Sequence, residues 1–195
     1  MSAERTDTTS EIASEASFAV ALVHHPIVNR KGERSTTAIT SIDIHDFVRT
    51  CAMFDVAPVY MVHPAEGMHA LVRDVAGYWL EGGGGERNPG RTESIRSLKL
   101  AKSIEEVLDD GDYTLWYTSA TPPEGHATDV DKLLEIKGKH LIVFGTGWGL
   151  DYESMPRPNG WLSPIEGIGM VRHLSVRAAL AIYLDRLTRK RLEAS

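Results

Sequence analysis

Two periodicities divide this chain. Short apolar runs at Phe18 to Val23, Pro58 to Val62, Tyr113 to Tyr117 and Leu141 to Phe144 read as buried strands, too brief for helices and rich in β-branched and aromatic residues. Leu98 to Ala101 and Trp161 to Ile165 read as two shorter ones. Between them apolar residues recur at helical spacing. Ile44, Phe47, Val48 and Cys51 mark a helix over Ile42 to Phe54, and Met68, Leu71, Val72, Val75, Ala76 and Trp79 mark a second. Short helices follow from Ser103 to about Leu108 and over Asp129 to Ile136. The C-terminal helix buries Val176, Ala179, Leu180, Tyr183, Leu184 and Leu187, and turns Arg177, Asp185, Arg186, Arg189 and Lys190 outward. Strand alternating with helix predicts an α/β fold, a mostly parallel sheet with helices on both faces.

The punctuation between these elements locates candidate chemistry. Thr40, with Asp43 three residues on, can cap the first helix. Asp43 then sits where a helix dipole favours a carboxylate, and Asp46 and Arg49 have the spacing of a surface ion pair. Gly145, Gly147 and Gly149 end the Leu141 strand abruptly. They permit either an ordinary βα turn or a backbone that comes close to a ligand. Glu166 to Gly169 form a second glycine loop, and the hydroxyl-rich Thr118 to Pro123 ends another strand as a plain turn or a crevice wall. Gly82 to Gly85 and Arg87 to Arg91 read as a flexible connection, because no Gly-Lys-Ser/Thr follows to make a phosphate loop. Residues 1–16, poor in apolar side chains, read as a disordered tail, and 17–195 as a single domain.

Composition narrows the function classes. One cysteine allows no internal disulfide and suits a reducing compartment. No apolar run reaches the roughly 20 residues of a membrane span, and no secretory core is visible, so a cytoplasmic location is expected. The eight histidines fall in no metal-ligand spacing, so no metal site is expected. Cys51 lies on an apolar stripe, and Ser175 lacks a nucleophile elbow and suits a cap or a ligand contact. With a net charge of −6, any grip on nucleic acid must come from local positive charge or from a partner. One such place is the loop Asn29 to Arg34, where Arg30, Lys31 and Arg34 either contact phosphate or line a solvated turn.

Several motifs taken together carry a family likeness. Ala21-Leu-Val-His24, Asp43-Ile-His-Asp46 running on to Arg49-Thr-Cys51, Phe144-Gly-Thr-Gly-Trp-Gly-Leu150, Ser163-Pro-Ile-Glu-Gly167 and His173-Leu-Ser-Val-Arg-Ala-Ala179 resemble the motifs of SPOUT-type RNA methyltransferases. Within that superfamily the chain resembles a small domain found alone or fused to tRNA guanine-N1 methyltransferase, over about Phe18 to Leu187. The resemblance implies a C-terminal trefoil knot and a homodimer packed through the terminal and first helices. It also implies S-adenosylmethionine held largely by main-chain groups of three loops. These are Thr118, Ser119 and Ala120; Phe144, Gly145, Thr146, Gly147 and Gly149; and Leu162, Pro164, Ile165 and Gly167 with Leu174 and Ser175. The substrate it implies is tRNA or rRNA. Arg49 matches the motif-one arginine; a guanidinium stays protonated, so it would orient phosphate or stabilise developing negative charge. Asp43, His45 or a relayed water would take the proton. Ribose-methylating relatives carry Gly-Ser-Glu-Gly in motif two and Asn in motifs one and three. Here Gly145-Thr-Gly-Trp148, Asp43 and His173 stand in those places, so the methylated atom is open. Two other functions compete, a cofactor-binding regulatory module without catalysis and a nicotinamide-dependent oxidoreductase. For the latter the Gly-x-Gly-x-Gly spacing and the missing acidic residue fit poorly.

Overall fold

The computed structural model describes residues 16–123, 127–171 and 173–194. Its scaffold is a seven-stranded sheet, all parallel, in the order β5-β4-β1-β8-β6-β9-β7. The strands are β1 (Ala16–Val23), β4 (Val59–Val62), β5 (Leu98–Ala101), β6 (Tyr113–Tyr117), β7 (Ala127–Thr128), β8 (Gly138–Gly145) and β9 (Gly160–Leu162). A separate hairpin pairs β2 (Ile27–Val28) with β3 (Arg34–Ser35). The helices are α1 (Ser41–Met53), α2 (Glu66–Leu80), α3 (Gly84–Arg87), α4 (Pro89–Arg96), α5 (Ile104–Asp109) and α6 (Val176–Ala194). The tail expected over residues 1–16 lies outside the described residues, except that Ala16 already belongs to β1.

Strand alternation sorts the core into two layers. Phe18, Val20 and Leu22 join a cluster with Ile44, Phe47 and Val48 of α1, Val72 of α2, Ile95 of α4 and Leu180, Leu184 and Leu187 of α6. Ala19, Ala21 and Val23 join the other, with Ile104 and Val107 of α5 and with Leu115, Tyr117 and Trp161. The central pair β1 and β8 is buried on both faces, which is why those runs read as continuously apolar. His140 of β8 is a satisfied core residue. Trp116 Nε1–H donates to its Nδ1 at 3.0 Å, so the ring carries its proton on Nε2 and donates that to the Ile136 carbonyl at 2.8 Å.

Local structure departs from the sequence reading in three places. Gly82 to Arg91 is not a connection, since α3 and α4 occupy it and α4 packs on both α1 and α2. Asn88 caps α4 by accepting from the Arg91 amide at 3.1 Å, and Pro89 fills the first turn, where a missing N–H costs nothing. Val130–Glu135 winds as a tight 3-10 turn instead of an α-helix. Trp161 to Ile165 pairs only as far as Leu162.

Candidate active site

In a parallel sheet every strand ends on the same edge, and here that edge gathers the glycine and hydroxyl loops. Val23 of β1 lies opposite Gly145, and Tyr117 of β6 opposite Val143. The loops after β1, β6, β8 and β9 therefore leave side by side. Two threonines seal the strand ends. Thr118 donates through its amide and hydroxyl to the Val143 carbonyl (3.1 and 2.9 Å), and Thr146 does the same to Val23 (3.2 and 3.1 Å). Thr146 Oγ1 is also 2.5 Å from Thr37 Oγ1, which is 3.0 Å from His24 Nδ1. His24 is buried, its Nε2 has no partner, and desolvation lowers its pKa to about 4 against the pull of Asp43. A neutral imidazole thus underpins the motif-two loop.

The glycines differ in what they permit. Gly147 (φ 62°) needs its hydrogen, because a Cβ would come 2.6 Å from Ile27 Cδ1. A Cβ on Gly145 would meet the Leu150 amide nitrogen and side chain at 2.9 Å, so bulk there distorts the turn itself before it closes any ligand slot. At Gly149 (φ 116°) and Gly167 nothing lies within 4 Å of an added Cβ, so the backbone there can be approached closely. Thr118, Ser119 and Ala120 hold the neighbouring loop. Phe144 and Leu162 are buried and would reach a ligand only through their main chain. Pro164 and Ile165 are half-buried, while Leu174 is exposed, as are Ile168, Met170 and Val171. Ser175 accepts from the Ala178 amide at 3.2 Å, so its hydroxyl caps the start of α6. Main-chain groups beside apolar surface on three adjoining loops fit an adenosyl ligand of the S-adenosylmethionine type.

α1 carries the candidate catalytic residues. Asp43 is buried, with both oxygens engaged. Oδ1 accepts from Arg177 Nη1 at 2.8 Å, and Oδ2 from the Thr40 hydroxyl and amide at 2.6 and 3.2 Å. The capping box read from sequence is therefore present, with an arginine from α6 added to it. Asp46 faces Arg177 Nε at 3.4 Å; the pair suggested by its spacing to Arg49 is replaced by this one. His45 is half-buried, edge-on to Trp79 at 5.7 Å between ring centres, and its Nδ1 is buried without a partner. Desolvation lowers its pKa first, Arg91 and Arg49 add to the effect, and Asp46 opposes it. Arg49 is exposed and makes no ion pair among the described residues. Arg30 and Lys31 stand exposed at the β2–β3 turn, whereas Arg34 is tied to Asp151 at 2.7 Å and to Ser154. Among the described residues no three metal-ligating side chains converge. Sequence reading missed Arg177 as a site residue. Its signal was a lone cation in the first turn of α6, where dipole and cap favour an anion and a cation needs a partner.

Comparison with known proteins places this geometry. The profile of the SAM-dependent RNA methyltransferase family matches residues 17–189. An uncharacterised protein of Aquifex aeolicus is 31% identical over 180 residues, 86% of each chain. A tRNA (guanine-N(1)-)-methyltransferase of Oleidesulfovibrio alaskensis is 31% identical over 173 residues, 86% of this chain and 41% of that protein. The chain thus spans about two fifths of the length of this curated relative. Among solved structures, a probable methylase family protein from Haemophilus influenzae superposes with a TM-score of 0.61 at 17% identity, over 90% of this chain and 66% of the other. The SpoU methyltransferase AviRb of Streptomyces viridochromogenes, solved with AdoMet, gives 0.55 at 14% identity, over 91% and 59%. The sheet is that of the SPOUT enzymes, and the likeness implies their knot. In this chain β9 is the last strand in sequence yet lies between β6 and β7.

Proposed function

The chain belongs to the SAM-dependent RNA methyltransferase family, and from that premise we propose that it methylates tRNA, working as a homodimer with its cofactor in the three-loop edge. The tRNA class is supported by the name of the Oleidesulfovibrio relative, and the methylated position is open. When bound, S-adenosylmethionine supplies an electrophilic methyl group, and the protein's task is to align the acceptor with it. Arg49 is the group for developing negative charge: it is cationic, exposed and unpaired among the described residues, one helical turn from His45. His45 is a better candidate for the proton than Asp43, since desolvation keeps its half-buried imidazole neutral and able to accept one. Asp43, saturated by Thr40 and Arg177, instead fixes α1 against α6. Exposed Ile168, Met170, Val171, Leu174 and Trp148 give apolar surface for a second copy, and the expected particle mass is twice 21.5 kDa by sedimentation equilibrium.

The observation that carries the reading is the gathering of the three loops and the Arg49 helix at one sheet edge, tied together by Thr37–Thr146 and Asp43–Arg177. The test is single-turnover transfer of labelled methyl onto total tRNA by wild type and Arg49→Ala. Loss of about 100- to 1,000-fold in rate is expected for a charge-stabilising group, with cofactor affinity retained. Turnover within about twofold of wild type would make Arg49 an ordinary surface residue.

A further inference from the structure

α1, α2 and α4 meet at an aromatic corner that the cofactor loops do not use. The Trp79 ring takes His45 edge-on at 5.7 Å and Tyr78 at 5.0 Å, and the Arg91 guanidinium lies over it at 4.9 Å. Thr92 fastens α4 there by donating to the Trp79 carbonyl at 3.0 Å. Arg49 follows His45 by one turn of α1. Neither Arg49 nor Arg91 has a carboxylate partner among the described residues, because the nearby Asp46 is taken by Arg177. Of the other arginines on these helices, Arg73 pairs with Glu66 and Arg96 with Glu93, while Arg87 of α3 is exposed and, like Arg49 and Arg91, makes no ion pair among the described residues.

On a chain of net charge −6, two unpaired guanidiniums flanking one imidazole are the local positive charge that an RNA ligand needs. Guanidinium forks match phosphate oxygens in pairs. Tyr78, 49% exposed and edge-on to Trp79, offers a ring face for an unstacked base. We infer that the α1–α2–α4 corner docks the sugar–phosphate backbone of the substrate RNA, with Arg91 positioning the phosphate beside the nucleotide that Arg49 serves. The inference rests on the RNA methyl-transfer reading above. It explains why an arginine is stacked on Trp79 without an acid to hold it, and why the chain from β4 to β5 adds the short helices α3 and α4 after α2.

The experiment measures anisotropy of a fluorescein-labelled single-stranded RNA of roughly 15 nucleotides with full-length protein across ~50 to ~300 mM salt. Arg91→Ala should weaken binding about tenfold and flatten the slope of log affinity against log salt by about 0.7, one lost phosphate contact. Arg91→Lys should restore the slope but only part of the affinity. Arg96→Ala, the same charge change on the same helix from a paired cation, should leave both within about twofold of wild type. Cofactor titration and a thermal melt on each variant establish that it is folded. Unchanged affinity and slope in folded Arg91→Ala would overturn the docking corner, as would wild type failing to bind this RNA. If binding depends on Arg91 but labelled methyl never enters RNA, the transfer reading fails and the corner stands.

Discussion

Arg177→Ala isolates the tie between the helix of Arg49 and the C-terminal helix. Arg177 is 35% exposed in its side chain and Asp43 only 9%, so removing the arginine strips a charge partner from a buried carboxylate. Breaking a fully buried pair from one side costs about 3–5 kcal/mol, and an exposed pair is worth under about 1. Here Oδ2 keeps both bonds from Thr40 and only Oδ1 is orphaned, at a site that water can enter once the side chain is gone. The cost is that of one charge-assisted hydrogen bond in partial solvent, about 1–2 kcal/mol. For a chain of this length each kcal/mol lowers the melting temperature by about 2–4 °C, which gives a fall of roughly 2–8 °C. The assay is differential scanning calorimetry of wild type, Arg177→Ala, Asp43→Asn and the double variant. In the Asp43→Asn background Arg177→Ala should cost less than half as much, since no buried charge is abandoned. A melt within about 1 °C of wild type, or the same cost in both backgrounds, would show that Arg177 acts through its aliphatic stem or Asp46 instead.

Gly167→Val puts bulk where an added Cβ meets no protein atom within 4 Å, so it should leave the melt nearly unchanged and abolish S-adenosylmethionine binding by calorimetry. Full affinity in that variant would move the cofactor elsewhere. His24 has a folded pKa of about 4, below its unfolded value, so the unfolded chain binds the extra proton first. Its contribution to stability is full above about pH 6.5 and is lost as pH falls toward about 4, at no more than about 1.4 kcal/mol per pH unit. Melts of His24→Gln over that range should be flatter than those of wild type, and parallel curves would contradict the assignment.

Legibility followed burial. β1, β8 and the buried stripes of α1 and α6 could be read because each is long enough for its period to show and sits against one contiguous core. The loops proposed to hold the cofactor were legible as permissive backbone at strand ends. Three residues of the proposed site and docking corner were not. Arg177 sits on a helix face whose partner is 134 residues away, and no local pattern records that distance. Arg91 and Trp79 meet across two elements, one of which was read as loop. Nor does sequence show that bulk at Gly145 would press first on Leu150, a contact set by the return of the chain.

The misread segment supplies the remaining test. Glycine-rich Gly82 to Gly85 and the polar Arg87 to Arg91 lack an apolar period, and only Ser94 and Ile95 of α4 are buried. Helix here depends on termini and on docking, because eight residues alone would not hold a helix in water. Asn88 is the terminus: extended at φ −148°, it ends α3 and accepts from the Arg91 amide that opens α4. Its own carbonyl also lies 3.1 Å from that amide, so Asn88→Ala leaves a fallback and should cost about 0.5–1 kcal/mol, the lower part of the capping range. Local opening should then speed amide exchange over residues 88–97 by about two- to fivefold, with β1 and β8 unchanged. Since Arg91 lies in this first turn, RNA affinity should fall with the same variant and return in Asn88→Asp, which restores the acceptor. Unchanged exchange would mean that Ile95 docking alone holds α4, and that the cap does not position Arg91.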